Sequence, residues 1–142
     1  GEFRRRMFEE VAESELPGLI FTYVWAFDHP TDAAAVESYV APFRARGGRV
    51  VFVELEATQE ERLRRNETPF RLAEKPFKRD LAASRARLLA DDAAYQLNSQ
   101  GAFDAREDYL RLNTTTLSAA AVAERVISHF GLPSVLAEPL DT

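Results

Sequence analysis

The sequence predicts an α/β fold built on a parallel sheet, because strand-like apolar segments alternate with amphipathic helical segments. Residues 19–26 (LIFTYVWA) and 49–57 (RVVFVELEA) are rich in β-branched and aromatic side chains. Nearly continuous apolar runs of this length are typical of strands buried on both faces of a parallel sheet. A third, shorter strand is predicted at residues 108–112 (DYLRL). Because helical patterns separate the three strands, parallel pairing through right-handed crossovers is expected.

Length and composition favour one α/β domain over residues 1–142. Of the 142 residues, 46% are hydrophobic and 29% are charged, which suits a single domain with a real core. The chain has no cysteine and only two histidines, which excludes a disulfide framework and a metal site rich in these residues. No apolar run approaches the roughly 20 residues that span a bilayer, and Glu9, Glu10, Glu13 and Glu15 interrupt any signal-peptide stretch. We therefore expect a cytoplasmic protein that binds no membrane.

A helix is predicted on each side of the first strand. Residues 3–14 repeat apolar side chains at helical spacing; these are Phe3, Met7 and Val11. Thr31 or Asp32 can cap the second helix, whose apolar stripe comprises Val36, Tyr39, Val40 and Phe43. Pro42 is expected to kink or shorten this helix, and Gly47-Gly48 to end it.

The region after the second strand is predicted to contain two helices and a loop. Thr58 and Glu61 form a capping box that starts a short helix ending near residue 66. Residues 67–77 hold two prolines and many charges, so a loop is expected there. Residues 78–92 are rich in alanine, leucine and arginine, which favours a helix. Its weak apolar stripe suggests that this helix is partly exposed.

The last third of the chain is predicted to hold a turn region, the third strand and a final helix. The turn region covers residues 98–105, and a polar loop (residues 113–116) follows the strand. Ser118 can cap the final helix, and Gly131 should end it. Residues 132–142 form a C-terminal tail.

Basic residues are concentrated in one part of an acidic chain. The net charge is −5, so nucleic-acid binding is not expected. Nine of the 18 cations nevertheless lie between positions 62 and 87: Arg62, Arg64, Arg65, Arg71, Lys75, Lys78, Arg79, Arg85 and Arg87. A local basic field on an acidic protein favours a small anionic ligand over a long polyanion. The other interpretation is a solvated surface that pairs with the acidic remainder.

Two segments resemble elements of P-loop nucleoside and small-molecule kinases. In VVFVELEATQEERLRRN (residues 50–66) an apolar strand ends in a Leu-acidic pair and runs into a short helix that carries arginines. DYLRLNTTTLSAAAVAERVISHFG (residues 108–131) resembles the last strand and last helix of the same fold. The order of elements over most of residues 3–131 looks like that of an uncharacterised shikimate-kinase-like, AAA-type ATPase family. The resemblance implies a three-layer fold with a parallel sheet, in which residues 67–92 form a basic lid.

The chain departs from that family in one respect, because it lacks the phosphate-binding loop. The family's G-x-x-x-x-G-K-[ST] motif cradles phosphates with backbone N–H groups and a lysine. None of the six glycines of this chain is followed by lysine. By resemblance, the missing strand and loop would lie upstream, and the strand would sit between residues 19–26 and 49–57. The sequence is therefore expected to be a fragment with an incomplete sheet, which could be completed by an imported strand, by sheet rearrangement, by a longer polypeptide or by a strand-exchanged homodimer.

The resemblance implies roles for several residues in the full-length parent, which would use ATP and Mg²⁺. Arg71 and Arg79 are the candidates for stabilising charge on the transferred phosphoryl group. Candidate cofactor-binding residues are Arg62, Arg65, Lys75 and Lys78 for the phosphates, and Asn113, Thr114 and Thr115 for the base. Trp25, Asp28 and His29 could line the acceptor pocket, although the first is also a good core residue and the other two fit a turn-and-cap sequence. No residue is assigned as a metal ligand.

Two functions from different classes follow. The first is a fragment of an ATP-dependent kinase of a small hydroxylated metabolite, contributing the lid and the base-side loop and inactive alone. The second is a non-catalytic α/β interaction domain whose basic loop binds an acidic partner. A receiver-like domain ranks below both, because it requires an acidic cluster at the strand ends around a phospho-acceptor aspartate, and Asp28 alone does not make that cluster.

Overall fold

The computed structural model describes residues 2–75 and 80–133, and within them the chain has a mixed α/β fold. Six helices and two strands form in this order: α1 Glu2–Glu13, α2 Pro30–Ala45, β1 Phe52–Glu56, α3 Gln59–Asn66, α4 Pro69–Glu74, α5 Leu81–Ala94, β2 Tyr109–Asn113 and α6 Ala119–Phe130. The predicted α/β class is therefore confirmed.

The sheet described by the structure is a parallel pair, formed by the second and third predicted strands. Phe52 lies opposite Tyr109, and Glu56 lies opposite Asn113. The ladder closes at its two ends, where the Phe52 amide donates to the Asp108 carbonyl and the Thr114 amide donates to the Glu56 carbonyl, both at 2.7 Å. In such a ladder alternate residues direct their main-chain groups to opposite neighbours. The other edge of β1 therefore faces away from β2.

The prediction of a strand at residues 19–26 is wrong, because this segment pairs with no strand in the part of the chain that the structure describes. Its side chains alternate nevertheless. The Phe21 and Tyr23 rings pack against Tyr39 of α2 at 5.7 and 6.0 Å, whereas Ile20 is 95% exposed. The segment thus lies against α1 and α2 on one side only. Burial on both faces, which the apolar run predicted, would require a neighbouring strand and a second covering layer.

Phe8 is the centre of the packing between α1 and α2. Its side chain is almost completely buried, and its ring lies 4.8 Å from that of Phe21, 5.0 Å from Tyr39 and 6.2 Å from Phe43. Aromatic pairs at these separations add to the free energy gained from burial. The predicted apolar stripe of the second helix therefore points to this cluster, which fixes α1, α2 and residues 19–25 together.

A second aromatic group covers one face of the sheet. Trp25 stacks on Phe27 at 4.7 Å, and Phe103 lies 5.9 Å from Trp25 and 5.2 Å from Tyr109. The Arg106 guanidinium lies over the same group, and its ion pair with Asp108 raises the pKa of Arg106. This group joins the turn region 98–105, which was predicted correctly, to the N-terminal half of the chain.

The helix boundaries differ from prediction where proline and capping residues were misjudged. α2 continues through Pro42 to Ala45, since a proline near the end of a helix removes only one hydrogen bond of the last turn. The predicted loop contains helix α4, because Thr68 caps it and Pro69 occupies its first turn, where proline is favourable. α5 is capped by Asp80. Ser118 caps α6, and Gly131 ends it at a φ of 60°, as predicted.

No helix within residues 2–75 and 80–133 is long and apolar enough to cross a membrane.

Candidate functional site

The carboxyl ends of β1 and β2 lie side by side, and the loop after β2 is fastened to β1. The amide and the hydroxyl of the buried Thr114 both donate to the Glu56 carbonyl, at 2.7 and 2.9 Å. The Thr58 amide donates to the Thr115 hydroxyl at 3.1 Å. In open α/β sheets, ligands bind at this carboxyl edge. The predicted base-side loop is therefore in a position that suits ligand binding.

Arg65 connects helix α3 to the same loop. Its guanidinium donates to the Thr114 hydroxyl at 3.0 Å and also to the Thr114 carbonyl. It donates to Glu61 at 2.7 Å as well. The structure thus brings together Arg65 and the residues predicted to lie near the base. Each of the three guanidinium nitrogens of Arg65 already donates to a protein oxygen.

Arg62 is also held by an internal partner. Two of its guanidinium nitrogens donate to the Asp92 carboxylate at 2.7 and 2.6 Å, and a third donates to the Ala57 carbonyl. The hydrogen bond from Arg62 is the main reason why the pKa of Asp92 lies below its ordinary value. This bidentate pair ties α3 to α5. Arg62 therefore positions helices, and its charge is already neutralised.

Among the predicted phosphate-binding residues that the structure describes, Arg71 and Lys75 have side chains without a described partner. Both lie at α4, and their side chains form no ion pair or hydrogen bond with any described residue. Phe70, beside them, is 77% exposed. Lys78 and Arg79 lie outside the described residues. Any anion at this segment would be neutralised by Arg71 and Lys75 before Arg62 or Arg65.

Asn113 forms the exposed end of β2. Its side-chain oxygen accepts a hydrogen bond from the Thr115 amide at 3.0 Å, which folds the loop locally. The turn interpretation of residues 113–115 is therefore correct as a description of their contacts. It is compatible with ligand binding, since the side-chain amide N–H groups of Asn113 donate to no described residue.

The residues predicted to bind the acceptor lie on a different turn. Asp28 accepts a hydrogen bond from the Gln96 amide at 3.0 Å, and the His29 ring is 2.6 Å from the Thr31 hydroxyl. Trp25 is half-buried within the aromatic group around Phe103. Only the His29–Thr31 contact is local, whereas Asp28 and Trp25 join this turn to the chain that follows α5. The structure does not join this turn to the Arg65–Thr114 contact.

The candidate residues fit a nucleotide only in part. Arg71 and Lys75, at α4, suit phosphate oxygens, and Asn113, at the carboxyl edge, suits a polar edge of a base. Within residues 2–75 and 80–133, no cluster of three His, Asp or Glu side chains could hold a metal ion. The backbone cradle for phosphates is not provided by any glycine-lysine motif of the printed sequence.

Sequence reasoning missed the acidic partners of the basic segment. Glu61 and Asp92 neutralise Arg65 and Arg62. The spacing of Glu61 and Arg65, four residues apart on a helix, was a readable signal. Asp92 was not, because its pairing with Arg62 depends on how α5 packs against α3.

The fold and this edge define a mixed α/β protein whose basic segment begins beside the carboxyl ends of two parallel strands. No family model matches the chain, and neither a curated protein nor a solved structure matches it. The relationship to P-loop kinases is therefore supported by the sequence resemblance alone and stands as a proposal.

Replacing Arg65 by alanine should lower the free energy of unfolding by about 1–3 kcal/mol, because hydrogen bonds to charged groups contribute more than neutral ones. The loss removes the contact of α3 with Thr114. Arg64→Ala is the matched control, since this exposed neighbour pairs with Glu61 alone among the described residues. Urea unfolding followed by circular dichroism measures both. Equal losses in the two variants would contradict the role given to Arg65.

Acidification should destabilise the protein through Glu61. Hydrogen bonds from Arg64 and then Arg65 lower the pKa of Glu61 from 4.5 to about 2. Because the folded pKa is depressed, this contribution is fully present above the unfolded value and is lost as pH falls towards 2. The free energy of unfolding should therefore decrease between pH 4.5 and 2, and Glu61→Gln should reduce the slope. The free energy of unfolding is measured by urea titration at several pH values. If it depends on pH equally in the unmodified chain and in Glu61→Gln, the effect is excluded.

Proposed function

We propose that this chain is part of an ATP-dependent phosphotransferase acting on a small hydroxylated metabolite, and that it contributes the lid and the base-side loop. The same proposal includes a three-layer P-loop kinase fold for the parent. The described parallel pair of strands would be one part of the sheet of that fold. ATP with Mg²⁺ would supply the phosphoryl group and neutralise its charge. The chain alone should be inactive, because the printed sequence contains no phosphate-binding loop.

The observation that carries this proposal is the contact between Arg65 and Thr114. It fixes the helix from which the basic segment extends to the loop at the carboxyl edge of the sheet. A basic lid that is rooted beside the base-side loop can close over a nucleotide bound at that edge. A solvated basic surface would not need to begin at this point.

The lid and helix α3, from which it extends, would have separate roles. Arg62 and Arg65, paired with Asp92 and Glu61, would hold the hinge of the lid at a fixed angle. Arg71, which makes no described ion pair, would stabilise the charge that develops on the transferred phosphoryl group. Arg79 and Lys78, by prediction, would assist Lys75 in binding the other phosphates.

Titration of ¹⁵N-labelled chain with ADP tests the proposal. We expect millimolar binding, with amide shifts at Asn113, Thr115 and Arg71, because the base-side loop is present and the phosphate cradle is not. Arg71→Ala should weaken binding severalfold, whereas Arg4→Ala, which removes a cation of α1, should leave it unchanged. Shifts that avoid residues 113–115 would overturn the proposal. Micromolar affinity would show that the role given to the absent loop is wrong.

A second candidate function is an interaction domain for an acidic protein segment. The observation that favours it is the exposed side chain of Phe70, which belongs to the same short helix as Arg71 and precedes Lys75 at its end. An apolar anchor next to cations suits a peptide better than a phosphate. A fluorescent peptide of alternating glutamate and leucine distinguishes the two. Binding that is abolished by Phe70→Ala and by Arg71→Glu, without any ADP-dependent shifts, would favour this function.

A further inference from the structure

The sheet has an open apolar face on the side where α6 lies. We define this face as the side chains of Val53, Leu55, Leu110 and Leu112. Val53 lies opposite Leu110 and Leu55 lies opposite Leu112 in the ladder, so the four side chains share one side of the sheet. The two leucines of β2 line a shallow groove with residues of α6, whereas Val53 is 37% exposed and Leu55 57%. A contiguous apolar group of this kind indicates an interaction site.

The second aromatic group lies on the other side of the sheet. Phe52 stacks beside Tyr109, and the Phe103 ring lies 5.2 Å from that of Tyr109. Because successive side chains of a strand point to opposite sides, Val53 and Leu55 point away from these rings. The aromatic group therefore cannot cover the open apolar face, and the described residues leave its β1 half exposed.

The chain leaves α6 close to the start of β1. Arg49, which precedes β1, donates to the Phe130 carbonyl at 2.7 Å, and its guanidinium lies over the Phe130 ring. Gly131 has a φ of 60°, and the Leu132 amide donates back to the Ile127 carbonyl at 3.0 Å. The main chain thus turns at the end of the helix. The residues that follow begin at the same end of the sheet as β1.

The nine residues after Pro133 are long enough to cross the open apolar face. They are residues 134–142 of the printed sequence. Extended, nine residues span up to about 30 Å, whereas a strand of the length of β1 spans roughly 17 Å. Ser128 and His129, which line the groove, lie in the last turn of α6. The groove therefore begins close to the point at which this segment is attached.

The composition of residues 134–142 (SVLAEPLDT) suits that face. The segment holds three large aliphatic side chains, two carboxylates and no cation. Pro139 favours an extended conformation for Glu138, which precedes it. An extended segment directs aliphatic side chains to a surface without requiring a helix of its own. The aliphatic residues are Val135, Leu136 and Leu140, and the acidic ones are Glu138 and Asp141.

The groove beside α6 offers cations to an acidic segment. Arg125 and His129 lie one turn apart on its wall, and Glu124 is the one carboxylate among its lining residues. Arg125 belongs to no ion pair within residues 2–75 and 80–133. Apolar leucines with an arginine at the rim therefore match a segment that places Glu138 between aliphatic residues.

We propose that residues 134–142 dock on the open apolar face as an extended segment, with Glu138 beside Arg125. The aliphatic side chains of the segment cover the leucines of the groove and the exposed side chains of β1. Because the segment is part of the same polypeptide, docking avoids the loss of translational freedom that a separate partner incurs. The segment lies over the face and leaves the outer main-chain edge of β1 free. The proposal is therefore independent of nucleotide binding and of the kinase relationship.

NMR relaxation of the ¹⁵N-labelled full chain without nucleotide tests the docking. We expect heteronuclear NOE values for Leu136 and Leu140 close to those of α6, because a docked segment is ordered on this timescale. Leu55→Asp should lower the docking equilibrium constant by about tenfold or more, since it places a charge in the apolar contact. Phe70→Asp is the matched control, because Phe70 is an exposed apolar residue of α4. It should leave the NOE values unchanged.

Charge reversal tests the position of the segment in the groove. Arg125→Glu should lower the docking equilibrium constant by about threefold to tenfold, because it replaces attraction to Glu138 with repulsion. The double variant Arg125→Glu with Glu138→Arg should recover the original value, which a purely structural role of Arg125 in α6 would not produce. Arg4→Glu, at an exposed arginine of α1, is the control and should have no effect.

Three results would overturn the proposal. The first is NOE values for residues 134–142 that are as low in the unmodified chain as in Leu55→Asp. The second is an ordered segment that neither Leu55→Asp nor the charge reversal affects, since it would then dock elsewhere. The third is a concentration-dependent shift of the Leu55 amide while the segment stays free, which would assign the face to a second copy of the chain.

Discussion

Replacing Phe8 by alanine should lower the free energy of unfolding by about 3–5 kcal/mol, the cost of removing a large buried aromatic side chain. Phe8 is only 2% exposed and is the one large side chain in the described residues that is fully buried. Its ring contacts Phe21, Tyr39 and Phe43. The resulting cavity would weaken the packing of α1 against α2 and against residues 19–25. Urea unfolding at equilibrium, followed by circular dichroism at several protein concentrations, measures the loss.

Phe3→Ala is the matched control for this prediction. Phe3 lies on the same helix but is 82% exposed, so its removal should change the free energy of unfolding by less than about 0.5 kcal/mol. This comparison also tests the sequence interpretation, which placed Phe3 rather than Phe8 on the apolar face of the first helix. If Phe3→Ala costs as much as Phe8→Ala, the packing of α1 described here is wrong.

Most helices could be predicted from the sequence because their signals are local. Thr58 and Ser118 were correctly identified as capping residues, and Gly131 ends α6 in the left-handed conformation that glycine tolerates. These signals act within a few residues of the chain. The first helix was also predicted, although its packing face was not, since Phe8 is buried by residues that are distant in sequence.

The strand at residues 19–26 could not be predicted correctly because a strand is defined by its neighbours. β-branched and aromatic composition shows that a segment suits an extended conformation, but hydrogen bonds to another strand make it part of a sheet. Val53 and Leu55 illustrate the same limit. Both were expected in a strand buried on both faces. The strand β1 does form, but the side chains of Val53 and Leu55 are exposed.

The candidate site was predicted in part for a similar reason. The sequence placed Arg65 and Thr114 in one functional group, and the structure joins them. The sequence also assigned Arg62 to phosphate binding, whereas the structure pairs it with Asp92. Charge density along the chain shows where cations are concentrated. It does not show which of them are already neutralised by tertiary contacts.

Replacing Glu54 by alanine should destabilise the fold by about 3–5 kcal/mol, because it leaves several buried donors without a partner. The Glu54 carboxylate accepts hydrogen bonds from the amide and the hydroxyl of Ser99 and from the hydroxyl of Tyr109. All three residues are buried. The carboxylate therefore ties β1, β2 and the turn region 98–105 together. Glu54→Gln keeps the shape and one acceptor, so its cost should be smaller.

Glu56→Ala is the control on the same strand. Glu56 pairs with Arg111 at 3.3 Å near the surface, and such pairs contribute about 1 kcal/mol or less. The titration of Tyr109 in the folded protein distinguishes loss of the Glu54 contact from a general loss of stability. Burial, together with the hydrogen bond to Glu54, raises the pKa of Tyr109. The alkaline titration of that ring, followed by NMR, should therefore move towards the ordinary tyrosine value in Glu54→Ala. If the titration of Tyr109 is unchanged and the two alanine variants are equally stable, Glu54 does not join these elements.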